Sequence, residues 1–483
     1  MGARERAAIG GYMIRGLKVS ALLLGLTAVQ PALALEPISP WVSLGSIHSD
    51  NAEHASVNGS ETTTVDAIVG ARIRENGRFN AHLDASVLYR EFLQGKFDSE
   101  TIPSANGSLS YAFVPQHFAI SAEETLGQIS SRPFDALSTT DRENVNYFSV
   151  GPDVALPMGQ RNRVDFSGRY GITSFQDSNV DSSRVSGEVA LSRILGEYST
   201  ISVNHRYERL DYNHAELYPS STLQATFIRY SGESSRTRLM LELGQSSIQV
   251  GNGNTGHSPH ATLLLQRRVS RRTTLAFEYT HGGSDAAESL RRDMHDGFNS
   301  TNDQNVLVTA NPFTRDQGYV MLLRTSTRSA IAWQATWNRE KYSENSVLDR
   351  HEYGSDLLGD YRFTSLWTLA CKFRYQYEKT DLSEATRTRY RGSVGMTRRL
   401  TRALQGALVF ERSQSTGTSS LDHFRENSVT LMFHYSPREI AQELFDPVSD
   451  FRSYERPWRS QLEIQRQQQQ QATPGMPMVY PTR

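Results

Sequence analysis

The chain has one cysteine, Cys371, in 483 residues, which excludes an internal disulfide framework and any cysteine-based metal site. Lysine is almost as scarce. It occurs only at positions 18, 96, 341, 372 and 379, so nearly all of the 51 basic residues are arginine. Net charge is −1 at pH 7, so there is no overall electrostatic pull toward nucleic acid. Long apolar runs are missing too: beyond residue 35 none approaches the ~20 residues of a spanning helix.

Chemical motifs are equally sparse. There is no H-E-x-x-H and no G-x-S-x-G, which removes the usual zinc-protease and hydrolase-elbow readings. His257 and His260 stand close together in a Gly/Asn-rich stretch without carboxylates in ligand spacing. Gly251-Asn252-Gly253-Asn254 lacks the acids that a calcium loop needs. Nothing here points to an enzyme, a metal or a cofactor.

What the chain does have is a period-two alternation, repeated along most of its length. Phe79, Ala81, Leu83, Ala85, Val87 and Tyr89 interleave with Asn80, His82, Asp84, Ser86 and Arg90. Val164, Phe166, Tyr170 and Ile172 oppose Arg163, Asp165, Ser167 and Arg169, and Val429, Leu431, Phe433 and Tyr435 oppose Ser428, Thr430 and His434. Side chains alternate across a strand, so each segment has one greasy face and one wet face.

The connections sort by length. Short ones fall at 75–78, 115–116, 157–161, 196–198, 232–235, 270–272, 326–328, 364–365 and 401–402. Longer, more polar ones take turns with them, at 48–61, 94–101, 129–143, 176–181, 213–220, 251–258, 342–349, 380–386 and 416–423. Alternating connection length with half-apolar strands predicts an all-β fold: an antiparallel transmembrane β-barrel of about 20 strands (18–22), with short periplasmic turns and long extracellular loops. Residues 282–316 break the rhythm. Counting the apolar piece at 306–310 as a wall strand would put the 326–328 turn on the wrong rim, so 282–316 is read as one large surface or infolded loop.

Arg4, Arg6, Arg15 and Lys18 precede an apolar run at 19–29, and Ala32-Leu33-Ala34 follows. That is the pattern of a cleavable export signal. The expected organisation is a signal peptide at 1–34, a bacterial outer-membrane barrel at 35–436, and a largely disordered periplasmic tail at 437–483, where Gln467 to Gln471 opens a low-complexity stretch.

On the wet face, strand parity directs Arg72, Arg74, Arg90, Arg169, Arg206, Arg238, Arg324, Arg362, Arg374, Arg389 and Arg391 to the lumen. Asp84, Asp165, Glu188, Glu208, Glu242, Glu278, Asp356, Asp360, Glu378 and Glu411 share that face. Two readings follow: a wall of mutually satisfied ion pairs, or an arginine ladder that guides an anionic solute.

The layout resembles the EpsL-like outer-membrane barrels of bacterial exopolysaccharide gene clusters, often associated with the PEP-CTERM/exosortase system. Segments such as Asn144-Val145-Asn146-Tyr147-Phe148-Ser149-Val150-Gly151-Pro152 and Arg425-Glu426-Asn427-Ser428-Val429 are similar in style, and the likeness covers about residues 40–436. The resemblance implies passive export of polysaccharide. Its expected partners are outer-membrane lipid and lipopolysaccharide, the polysaccharide cargo, and periplasmic or inner-membrane polysaccharide-synthesis proteins, with no nucleic acid. A general or weakly anion-selective diffusion porin, and a non-conducting surface scaffold or adhesin, are the alternatives.

Overall fold

The computed structural model describes residues 38–437, apart from 53, 55–58, 76, 95–96, 131–141, 178–179, 215, 217, 252, 254, 286–311, 343–347, 382–384 and 419–422. The signal segment, the tail and the 306–310 piece therefore lie outside the described residues.

Twenty strands make up the fold. The first ten are β1 Ser39–Ser49, β2 Thr62–Glu75, β3 Phe79–Phe92, β4 Glu100–Val114, β5 Phe118–Ser130, β6 Arg142–Met158, β7 Asn162–Phe175, β8 Ser182–Gly196, β9 Ser199–Tyr212 and β10 Ser221–Glu233. The others are β11 Thr237–Val250, β12 Thr255–Ser270, β13 Thr273–Ser284, β14 Phe313–Thr325, β15 Ser329–Tyr342, β16 Arg350–Arg362, β17 Trp367–Thr380, β18 Thr386–Arg399, β19 Leu404–Gly417 and β20 Phe424–Tyr435. Each pairs antiparallel with the next, and β1 pairs with β20 from Val42↔Tyr435 to Ser49↔Ser428. The sheet is a closed barrel without a free edge.

Closure is what lets a half-polar chain live in lipid. A bilayer offers no hydrogen-bond partners, so backbone groups must satisfy one another, and only a closed sheet does so without an edge. Strands of 11 to 17 residues exceed the roughly 9–11 needed to cross the hydrocarbon core, so their ends stand proud of it. An even number of strands in one sealed antiparallel chain, with both wall termini on the short-turn rim, is the bacterial outer-membrane arrangement. The protein resides in that membrane.

The alternation of the sequence becomes the two faces of this wall. Along β2, Thr62, Thr64 and Asp66 are buried on the lumen side, while Val65 and Val69 stand 41% and 60% exposed toward lipid. The outward set runs round the barrel through Val87, Phe166, Val189, Val203, Leu243, Leu357, Phe373, Val394, Leu408 and Leu431. Cys371 belongs to this outward face and is exposed. Small register shifts sit beside the short turns, at Ala112/Val114, Ile194/Gly196 and Arg268/Ser270. There one unpaired residue increases local twist and re-aims the chain. In the turn after β6, Gly159 takes φ +80°, a left-handed backbone that glycine adopts without penalty.

Two expectations are corrected. First, the ladders run further toward the long-loop rim than polarity indicates. β13 extends to Ser284 and β14 starts at Phe313, so Arg315 and Asp316 are strand residues rather than part of a 282–316 loop. Direct pairing of β13 with β14 from Thr273↔Arg324 to Ser284↔Phe313 leaves no room for a wall strand between them. Similarly, β12 begins at Thr255 and β4 at Glu100. Second, the inner face is not polar throughout. Ala276, Met321, Leu323, Ala330, Ala332 and Leu358 form a buried apolar cluster on the inward register of β13–β16, with Tyr319 packed against it.

Leu357 lies mid-strand on the lipid face, paired with Trp333 and Phe373. Leu357→Arg is expected to destabilise the barrel by about 2–4 kcal/mol, the range for arginine near the bilayer midplane. Reversible urea unfolding in liposomes measures it; a change below about 0.5 kcal/mol would contradict the assigned face.

Candidate functional site: the lumenal ion-pair lattice

The inward register carries the candidate arginines, and cross-strand neighbours decide what each can do. Directly opposite residues on an antiparallel pair lie on the same face within side-chain reach. Arg90 spans three strands: its Nε and Nη2 donate to both oxygens of Asp66 on β2 at 2.9 and 2.8 Å, and Nη1 donates to Glu100 on β4 at 3.3 Å. Arg72 donates to Asp84 at 2.6 Å. Arg206 binds Glu188 at 2.8 Å, Arg238 binds Glu233 at 3.0 Å, Arg374 binds Asp356 at 2.7 Å and Arg391 binds Glu411 at 3.3 Å.

Arg169 has a further task. The β6–β7 register is interrupted between Val150↔Tyr170 and Asp153↔Ser167, where Pro152 has no N–H to give the ladder. Arg169 Nη1 donates to the carbonyls of Pro152 (3.1 Å) and Gly168 (2.7 Å), and Nη2 donates to Asp153 at 2.7 Å. One guanidinium thus bridges the gap.

Arg74 and Arg389 also sit on the inward register, opposite His82 and opposite Gln376 and Ser415. Arg362 ends β16 at the short-turn mouth, opposite Thr368. Arg324 is a correction. It pairs with Ile331, which is 53% exposed on the lipid face, so its side chain leaves the wall outward beside the 326–328 turn. The stretch Val320-Met321-Leu322-Leu323 is apolar on both faces, so polarity carries no information about parity there. A long arginine near a strand end keeps its charge at the headgroup level.

The most buried arginines, Arg184, Arg315, Arg350 and Arg387, were missed by the sequence reading, which did place their neighbours Glu208, Glu242 and Glu378 on the lumen side. Arg184 donates to Glu208 and to Asp285, each at 2.6 Å. Arg229 donates to Glu242 at 2.6 Å, with His260 beside the same carboxylate at 3.1 Å. Phe227 lies among Arg206, Arg229 and His260, its centroid 5.6 and 5.3 Å from the guanidinium carbons and 4.6 Å from the imidazole. Around β14–β18, Glu340 accepts from Arg350 (2.9 Å), Asn338 (3.0 Å) and Tyr342 (3.1 Å). Asn338 Oδ1 in turn accepts from Arg315, and Glu378 accepts from Arg387 at 2.8 Å. The signal for Arg387 was available, two positions before Arg389. Arg315 and Arg350 fell in or beside segments too polar to be read as strand.

The resulting surface alternates fixed guanidinium and carboxylate groups among hydroxyls and amides. Ser43, Thr62, Thr64, Ser149, Ser202, Asn204, Ser246, Gln334 and Gln405 all line it. Among the described residues no group of three or more His, Cys, Asp or Glu is placed to hold a metal ion.

Glu340 and Arg350 are both nearly sealed, at 3% and 5% side-chain exposure. Removing one partner strands the other charge. Glu340→Ala should destabilise the barrel by about 3–5 kcal/mol, with partial recovery on adding Arg350→Met. Denaturant unfolding of the single and double variants measures the coupling.

No protein-family model matches the chain, and no curated protein matches it. Among solved structures it is similar to a mutant of the ferric enterobactin receptor PfeA from Pseudomonas aeruginosa, with 8% identity, TM-score 0.44, and 83% of this chain and 80% of that one covered. The copper transporter OprC gives 10% identity, TM-score 0.44, and 84% and 81% coverage. The FrpB iron transporter from Neisseria meningitidis gives 10%, 0.42, and 83% of each chain. Likenesses this distant carry no argument about cargo; the barrel rests on its own strand pairing and outward apolar belt.

Proposed function

We propose that this outer-membrane barrel is a passive conduit through which exopolysaccharide leaves the cell. The observation that supports it is the ion-paired lattice of the inner wall. Arg72, Arg90, Arg169, Arg206, Arg238, Arg374 and Arg391 each have a carboxylate at hydrogen-bonding distance. Such a wall is strongly hydrogen-bonding yet close to electrically neutral. A sugar polymer meets many weak polar contacts there and no deep trap, and conduction needs binding weak enough to release the cargo. Periplasmic or inner-membrane polysaccharide-synthesis proteins are the partners this role requires. As a passive conduit the barrel is proposed to carry out no chemical step.

The same neutral wall suits a general diffusion porin, and the two are separable. Deleting the gene should leave polymer in the periplasm and deplete it outside; normal secretion would overturn the conduit and direct attention to small-solute conductance in planar bilayers. The lattice itself has a readout in such bilayers. Replacing Asp66, Glu100, Glu188 and Asp356 together by their amides removes the carboxylates bonded to Arg90, Arg206 and Arg374, so the reversal potential in a salt gradient should shift toward anion selectivity. An unchanged reversal potential would mean that these pairs do not face the conducting path.

A further inference from the structure

The outward face of β15–β17 carries an arrangement that neither the lumen nor the wall requires. At the long-loop rim, Arg339 on β15 lies directly opposite His351 on β16, and His351 lies directly opposite Lys379 on β17. Lys341 continues the outward register of β15 one step further out, opposite Thr314. Arg339, Lys341 and Lys379 are exposed, and none makes an ion pair among the described residues. The composition sharpens the point: of the few lysines in this arginine-dominated chain, positions 341 and 379 both fall in this one patch.

What lies beneath fixes its depth. Two residues inward along the same strands comes a cross-strand row of rings, Trp337↔Tyr353↔Tyr377, with Tyr353 and Tyr377 centroids 6.3 Å apart. Tyr375 and Tyr390 follow at 5.3 Å. Aromatic girdles mark the boundary between acyl chains and headgroups. Two residues of strand rise ~7 Å, which sets the basic row at the level of the headgroup phosphates. Adjacent strands are ~4.8 Å apart, so the row across β15–β17 spans ~10 Å.

Two of the other outward basic residues near this rim are matched locally. Arg209 is bound to Asp211 at 3.0 Å, and His48 lies 3.4 Å from Glu61. Acids do border the basic row: Asp349 and Asp381 both act on His351, and Asp316 and Asp349 hold other hydrogen bonds as well. Asp316, opposite Arg339, is bonded to His281 and Tyr279. Asp349 accepts from the Tyr342 N–H, and its carbonyl accepts from the Asp381 N–H.

We propose that Arg339, Lys341, His351 and Lys379 form a headgroup site for a phosphorylated glycolipid of the outer leaflet, with Trp337, Tyr353 and Tyr377 packing against its sugar and acyl boundary. Arginine offers a planar fork to a phosphate and lysine a mobile point charge. Both remain charged at any physiological pH. The site acts from outside the wall, so it stands whatever the lumen conducts.

The test uses the whole refolded barrel in detergent, incubated with diphosphorylated lipid A or with the same lipid stripped of phosphate, bound lipid being counted by native mass spectrometry. Wild type should retain the phosphorylated lipid at least ~10-fold better, since each basic residue near a phosphate surface contributes roughly fivefold. The triple variant R339Q/K341Q/K379Q should retain both lipids equally. Arg209→Gln, whose charge is already matched, should behave as wild type. Heat-modifiable mobility on gels confirms that each variant is a folded barrel. Equal retention of the two lipids by wild type, full retention by the triple variant, or displacement of lipid by inorganic phosphate alone would each overturn the site.

Discussion

The hydrogen-bond ladder that joins β1 to β20 is the constraint on which everything else depends. Without it, two strand edges would lie in hydrocarbon with a row of unpaired N–H and C=O groups, each costing several kcal/mol. With it, every strand is an interior strand and every side chain has one of two destinations. The period-two pattern then sorts lipid from lumen residue by residue. Where the ladder falters, at Gly151-Pro152 on β6, the inward face supplies the repair through Arg169. An arginine that reads as a cargo contact is there a piece of the wall.

The inner face answers a second problem, that of lining a polar interior with long charged side chains without leaving them to compete for the backbone. Many of the inward guanidinium groups are set against a carboxylate on a neighbouring strand, at Arg90–Asp66, Arg206–Glu188 and Arg374–Asp356 among others. The fork geometry of arginine suits such fixed bidentate pairs better than the single mobile charge of lysine. Buried pairs of this kind add little net stability against an apolar alternative, yet breaking one is severe. A strand slipped by one residue would turn an entire charged column into lipid.

The outer face has its own layering. An apolar belt gives way to aromatic rings and then, on β15–β17, to the basic row of Arg339, His351 and Lys379. Each layer corresponds to a depth in the membrane: acyl chains, the interface, and the charged headgroups. The two faces of the same strands thus use basic residues in opposite ways. Inside, arginines are neutralised by the wall; outside, at the rim, cations are left for the membrane.

Strand alternation and the turn-taking of short and long connections were legible in the amino-acid order, because the pleat has a period of two and a membrane barrel needs tight turns on one side only. Those local rules suffice for the all-β barrel of about twenty strands, for the lipid-facing position of Cys371, and for the inward register of Arg72, Arg90 and Arg374. They stop where polarity ceases to alternate. Val320-Met321-Leu322-Leu323 is greasy on both faces, so the outward turn of Arg324 and the inward apolar cluster around Met321 were decided by pairing with β13 and β15. Arg315 and Arg350 lie in sequence too polar to declare itself strand, and only the neighbouring ladders extend it. Which carboxylate each arginine meets, and that Arg339, His351 and Lys379 share one row, depend on register between strands far apart in the chain. Register is a property of the closed sheet, because a residue's neighbour across the ladder is set by where the whole strand stops sliding.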